Sequence, residues 1–450
     1  MSSRPPLKDC VRQHCVLSNG RFTAMLSDSG SGYSRWQDLA VTRWREDVAG
    51  DPWGSYLLLR DEDSGDVWST SQQPYGAQLP DDVVTFLPGR ATFDRRLNEL
   101  HSRLDIAIAC DADIELRRLT LTNDGDRDRT LSVTSYAEMV VGPVAADNAH
   151  PAYSKMFVQT DWNPEHALLL ATRRQRSNAE AEIRVAQTLE VVGEPISQVI
   201  EYETDRARFL GRGRTLRNAR AMQPNRALSN SSGCVLDPIF SLRRHVRLAP
   251  GAVVTLLLWT KLSNSRDGAL ELSKQLGNAD AAETFFSAAA THAQTELKRL
   301  DIEGARGARI AHWLNAVLMS DPQQRPAGRV LAQGHGGPPV LWAAGISADR
   351  PILLQCLDSE ADLACTHDLF AAQNLWCSQR LAVDVVLLNI ASGDQGDALQ
   401  GQLESLVNAQ LNQLKAESSS VKAESFVLRE SKIDSVLRNG LLTAARIVLG

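Results

Sequence analysis

Between residues 16 and 262 the chain is cut into short apolar runs by turn signals, and this punctuation restricts the possible folds more than any other feature. The runs include Phe22-Thr23-Ala24-Met25-Leu26, Gly54-Ser55-Tyr56-Leu57-Leu58-Leu59, Leu116-Arg117-Arg118-Leu119-Thr120-Leu121, Thr130 to Tyr136 and Ala252 to Trp259. Asn19-Gly20, Asp28-Ser29-Gly30, Asp63-Ser64-Gly65, Asn123-Asp124-Gly125 and Pro250-Gly251 separate them. Gly and Asn tolerate the left-handed backbone of tight reversals, and Pro presets the first turn residue. Many short strands with such breaks predict an all-β sandwich or barrel. A stretch of about 250 residues requires two sheets of many strands.

The apolar period then lengthens. Leu270, Leu272 and Leu276, then Phe286, Ala289, Ala293, Leu297 and Leu300, fall at helical spacing, as do residues 308–320. A Pro-, Gly- and Gln-rich loop follows from Asp321 to Pro339. The last third alternates: strands are expected at 351–357, 383–390 and 425–429, and helices at 360–379, 395–415 and 432–449. Three strand–helix units predict a small parallel α/β layer with right-handed crossovers. The fold class is therefore α+β multidomain: a large antiparallel β-sandwich at 16–262, a helical linker and loop at 263–340, and a three-unit α/β domain at 341–450.

Net charge is −6 over 450 residues, with 43% hydrophobic and 23% charged residues, so a core can be buried and a polyanion such as nucleic acid is not the expected partner. The residues after Met1 hold no apolar run of signal-peptide length, and no segment reaches the span of a membrane helix. A soluble, cytoplasmic protein is the expectation. Seven scattered cysteines without a C-x-x-C pair indicate neither zinc nor a disulfide framework, but reduced, mostly buried thiols.

The densest chemistry lies between Gly32 and Ser69, where four of the nine tryptophans are interleaved with Arg and Asp. Aromatic faces stack on the C–H surfaces of pyranose rings, and Arg and Asp offer fixed hydrogen bonds to hydroxyls. The same residues also fill sandwich cores and pair across strands. A second cluster, Asp147 to Lys155 around His150, has acid–base residue types or is a structural turn leading into a strand at Met156-Phe157-Val158. A third, Asp205 to Arg214, carries Gly-x-Gly and four arginines able to cradle a phosphate, but lacks dinucleotide-binding spacing. Asp349 and Asp384 stand out in the last third, and a buried Asp384 needs a partner or a raised pKa. No second carboxylate at fixed spacing nominates a glycosidase pair.

Several long motifs carry a resemblance: Leu17-Ser18-Asn19-Gly20, Gly32 to Asp47 with Trp53-Gly54, Ser64 to Ser69, Thr134-Ser135-Tyr136, Ala149-His150-Pro151-Ala152, Arg208 to Gly213, Leu236-Asp237-Pro238-Ile239, Leu341 to Ser347 and Val383 to Asn389. Through them almost the whole chain resembles the glycosyltransferase-36-type region of cyclic β-1,2-glucan synthases, shared with glycoside hydrolase family 94 phosphorylases. The resemblance implies a large sandwich beside an (α/α)6 catalytic barrel, β-linked glucan substrates, and glucosyl transfer or phosphorolysis. Inorganic phosphate or a sugar phosphate is then an implied substrate, and no cofactor is expected. The implied substrate-binding residues are Tyr33, Arg35, Trp36, Asp38, Arg43, Trp44, Arg45, Asp47, Trp53 and His150.

Two departures matter. The family's catalytic acid lies on the barrel, whose helix–helix repeats are absent here. The pattern Gly-Ile-Ser-Gly-Asp carries Ala348 at its fourth position, Ile390 replaces a Glu, and Gln373-Asn374-Leu375-Trp376 stands where His-Glu-Tyr-Trp is expected. The expectation is a segment of a synthase-like protein that binds β-glucan or supports transfer on a partner synthase chain or within a homodimer. An active transferase or phosphorylase using His150, Asp147 or Asp349, and a scaffold docking a synthase subunit, are the alternatives.

Overall fold

The computed structural model describes residues 12–76, 79–175, 182–193, 196, 199–271, 279–334, 337–416 and 421–450. The chain divides into two compact units, one from Cys15 to Gln294, the other from Thr295 to Gly450 together with the segment ending at His14.

The first unit is the expected two-sheet sandwich. Among the described residues, nine strands form one antiparallel sheet and eight form the other. The expected runs lie in strands Phe22–Ser27, Tyr56–Asp61, Ile114–Asn123, Arg129–Pro143 and Val253–Ser263. Side chains alternate across the pleat, so Leu57 and Leu59 point into the sandwich with Phe22, Trp36, Phe93, Leu119, Val133 and Leu258. Tyr56 and Leu58 point outward, where Phe209, Leu210, Met222 and Leu228 cover them. The outer face of the eight-stranded sheet is covered by the helix Ala279–Arg299, whose Ala282, Phe286 and Ala289 meet Leu116, Leu170 and Trp259. Each sheet thus buries apolar residues on both faces.

Arg129–Pro143 is the strand that organises the functional region. It pairs with Pro238–Leu248 on one side (Glu138 opposite Ile239) and with Tyr56–Asp61 and Leu39–Thr42 on the other (Met139 opposite Thr42). Its register shifts between Met139 and Gly142, where Val141 takes φ 48°. Residues 147–155, expected as a loop, instead fall in two short helices, Val144–Ala149 and Pro151–Lys155, and the next strand begins at Val158 rather than Met156. Pro151 at the first turn of the second helix suits helix initiation, and His150 is the extended residue between the two helices.

The second unit holds four parallel strands in the order Ser425–Arg429, Asp384–Asn389, Ile352–Leu357 and Ile447–Leu449. The helices Leu363–Ser378, Gly393–Ala416 and Ser435–Ala444 alternate with them. The helix expected over 432–449 stops at Ala444. Ala445 turns extended, and Ile447-Val448-Leu449 adds the fourth strand beside Leu353-Leu354-Gln355. Helical and strand periods coincide over so short an apolar run, and the β-branched pair favours the strand. Leu272 and Leu276 lie outside the described residues. Of the described cysteines, Cys377 is buried, Cys234 is exposed and the rest are half-buried, so thiols are less enclosed than expected.

Candidate functional site

The strand Leu39–Thr42 ends where Arg129–Pro143 shifts register, and the Arg43 amide donates to the Glu138 carbonyl at 2.9 Å. This fixes the Arg43 guanidinium between two elements. Its Nε and one terminal nitrogen donate to the two Asp147 oxygens at 2.9 and 2.7 Å, and its other nitrogen donates to Glu138 Oε2 at 2.8 Å. The side chains of Arg43, Asp147 and Glu138 are 3%, 6% and 9% exposed. Arg206, opening a short helix capped by Asp205, donates to Glu138 Oε1 at 2.7 Å and to the Tyr136 hydroxyl at 3.2 Å. Asp237 faces Arg206 and Lys155.

Three cations and three carboxylates therefore meet in one cluster, each charge answered. Burial works against the Arg43 and Arg206 charges, but Asp147 and Glu138 around Arg43, and Glu138, Tyr136 and Asp237 around Arg206, outweigh it, and both guanidinium pKa values rise. Burial, with the Glu138 charge behind it, also lifts the Tyr136 phenol well above its ordinary value. Because every carboxylate already holds a cation, the cluster works as a clasp joining four stretches of chain rather than as a reacting centre.

The clasp sets the start of the loop that carries the aromatic residues. Trp44 lies edge-on to Tyr33, with ring centroids 5.8 Å apart, and Arg35 covers Tyr33 at 4.0 Å. Arg45 lies 5.8 Å from the Trp53 ring centroid. Asp47 Oδ1 accepts from the amides of Ala49 and Gly50, closing the turn. The loop's far end is held by Asp51, a 2% exposed carboxylate that accepts from the hydroxyls of Ser27, Ser29 and Ser31. Within this fixed frame the Trp44 indole N–H and the Arg45 Nε–H are shielded from solvent and meet no acceptor among the described residues.

The structure distributes the ten sequence-derived residues unevenly. Arg35, Trp44, Arg45, Asp47 and Trp53 are half-buried on the loop and its neighbouring strand. Tyr33 and Trp36 are buried, and the Trp36 indole donates to Asp113 at 2.8 Å. Arg43 is committed to the clasp. Asp38 is exposed in the turn at Gln37, and His150 is exposed beside Pro151. Sequence reasoning did not single out Glu138, Arg206 or Asp237 as partners. The available signal was Glu138 itself, a charge inside the run Tyr136 to Val141 that an apolar strand accepts only with a cation beside it.

In the second unit, Asp349 is exposed in a turn. Asp384 is fully enclosed: Oδ1 accepts from the Glu424 amide at 2.9 Å and from Arg350 at 3.3 Å, while Oδ2 meets no donor among the described residues. Burial raises its pKa against the lowering effect of the Glu424 amide and Arg350. Gln373, at the expected His position, donates to the carbonyls of Val383 and Glu424, both at 3.0 Å, and accepts from Gln410 and Ser425. A neutral amide thus joins helix and strands there.

The two-sheet fold of the first unit is that of a supersandwich module. The chain belongs to the glycosyl hydrolase 94 supersandwich family, whose domain pattern matches residues 8–279. It is 31% identical over 440 residues to the cyclic β-(1,2)-glucan synthase NdvB of Rhizobium meliloti (strain 1021), covering 97% of this chain and 15% of that one. It is 29% identical over 243 residues to the N,N'-diacetylchitobiose phosphorylase of Vibrio proteolyticus, covering 52% of this chain and 29% of the relative. The chain therefore spans less than a third of each relative's length. Among solved structures, a bacterial glucoamylase complexed with acarbose superposes with a TM-score of 0.38 at 9% identity over 71% of this chain and 43% of its own, too remote a likeness to assign anything. No helix among the described residues is long and apolar enough to cross a membrane.

Proposed function

We propose that this chain binds β-linked glucan, of the β-1,2 type, on the loop carrying Trp44, Arg45, Asp47 and Trp53, and serves glucosyl transfer or phosphorolysis catalysed elsewhere rather than by itself. The carrying observation is the grouping of Trp44, Arg45, Asp47 and Trp53, all half-buried, on one loop held at both ends, with the Arg45 guanidinium 5.8 Å from the Trp53 ring centroid. Sugar hydroxyls suit the charged ends of Arg45 and Asp47, and the C–H faces of a glucan suit the Trp44 and Trp53 rings. Kinship with NdvB, by name a cyclic β-(1,2)-glucan synthase, supports the choice of glucan. The partner is a catalytic chain of the same class, or a second copy of this one, in the cytoplasm.

Titration with β-1,2-glucooligosaccharides, followed by tryptophan fluorescence and calorimetry, tests the reading. Binding in the range of about 0.1–5 mM is expected, and Trp44→Ala should abolish it. An unchanged signal without heat refutes the binding. Release of glucose 1-phosphate from the glucan by the purified chain with phosphate refutes the non-catalytic part.

A further inference from the structure

Residues 206–236 contain seven arginines and no Asp, Glu or Lys, in a chain whose net charge is −6. Some of these arginines have internal tasks. Arg206 belongs to the clasp, Arg214 donates to the Asn218 carbonyl at 3.0 Å, and Arg217 donates to the Pro74 carbonyl at 3.0 Å. Arg208, which pairs with Asp205 at 3.6 Å, lines one cleft of ≈ 310 Å³ with Arg220 and Arg226, together with Phe209, Leu228 and Ser229. Arg220 and Arg226 are exposed, and neither meets a carboxylate among the described residues.

The cleft is built from beneath. Arg243 is 1% exposed, and it donates to the backbone carbonyls of Ala221 and Arg226, both at 2.6 Å, and to Thr134 Oγ1 at 2.8 Å. A buried cation thereby fixes the segment that presents Arg220 and Arg226. Burial pulls its own pKa down to about 10 against the Glu201 charge. Glu203, also in the lining and 2% exposed, accepts from Ser229 and Ser231 hydroxyls and from the amides of Thr204 and Asp205, both at 3.0 Å. Its oxygens are thus occupied by its own chain. With Arg208 paired to Asp205, the guanidinium groups of Arg220 and Arg226 are the lining charges left without a carboxylate among the described residues.

We propose that this cleft binds the phosphate group of a small sugar phosphate. Forked guanidinium donors match phosphate oxygens in pairs. A phosphate monoester carries about −1.5 to −2 near neutral pH, which matches the two guanidinium groups of Arg220 and Arg226. The volume lies at the small end of ligand pockets, enough for a monosaccharide bearing one such group. The site is separate from the glucan-binding loop and stands or falls independently of it.

Calorimetry on the full chain, with glucose 1-phosphate, inorganic phosphate and glucose as probes, is the test. Saturable binding of glucose 1-phosphate and none of glucose is expected. Arg220→Gln/Arg226→Gln should raise Kd at least about tenfold while moving Tm by less than about 2 °C, because both side chains are exposed. Absence of saturable heat from both phosphate probes overturns the proposal, as does an unchanged Kd in the double variant. Binding to anionic lipid vesicles that glucose 1-phosphate does not displace also overturns it, in favour of a membrane surface.

Discussion

Replacing Arg43 with methionine keeps most of the side chain's length and removes its charge from the middle of the clasp. Three charge-assisted bonds of 2.7 to 2.9 Å disappear, and Asp147 is left with its side chain 6% exposed and its cation gone. Glu138 retains Arg206 at 2.7 Å, so the loss falls mainly on Asp147. Breaking one side of a buried ion pair costs about 3–5 kcal/mol, because the remaining charge stays out of water without compensation. At about 2 °C per kcal/mol, the slope for a unit of this size, Tm should fall by about 6–10 °C in a thermal melt followed by circular dichroism. Arg43→Lys keeps the charge but not the two-pronged geometry toward Asp147, and should lose roughly half as much. The double variant Arg43→Met/Asp147→Leu should recover at least about half of the fall, since no orphaned charge remains. A drop below about 2 °C in the single variant, or a double variant no more stable than the single one, would refute the reasoning.

Two further predictions concern the second unit. Ala348 holds φ 61°, where a Cβ is strained. Ala348→Gly should therefore stabilise by about 0.5–1 kcal/mol in urea unfolding, since relief of about 1–2 kcal/mol exceeds the entropy that glycine adds to the unfolded chain; an unchanged or lower midpoint counts against it. Asp384 has a folded pKa above its unfolded value of 3.8. Its stabilising contribution as the neutral acid is fully present below that unfolded value and is lost as pH rises through the folded one. Asp384→Asn does not titrate, so its Tm should gain on the parent between pH 3.8 and neutrality; a constant offset across that range would exclude the effect.

The sandwich could be read from the sequence because its rules are local. Turn dipeptides and alternating apolar residues act over two to ten residues, and strands such as Tyr56–Asp61 and Val253–Ser263 followed from them. The parallel layer was legible for the same reason. The clasp was not, because Arg43, Glu138, Arg206 and Asp237 share no local period and meet only through pairing of distant strands. The helices over 144–155 were missed because each is too short to show an apolar stripe. Composition located the aromatic loop but could not separate Trp36, turned inward onto Asp113, from Trp44, half-buried with an unmet indole N–H. That distinction depends on Trp36 lying in a strand with its side chain in the core while Trp44 lies on the loop beyond Leu39–Thr42.

Arg43 reaches Glu138 across 95 residues of chain and Asp147 across 104. Contacts that distant form only after long loops have closed, late on the route to the native state. Loosening the clasp should therefore leave the rate of folding almost unaltered and quicken the rate of opening. Its role in the life of the protein is then kinetic: it governs how long the sandwich, once made, stays shut against proteolysis and aggregation.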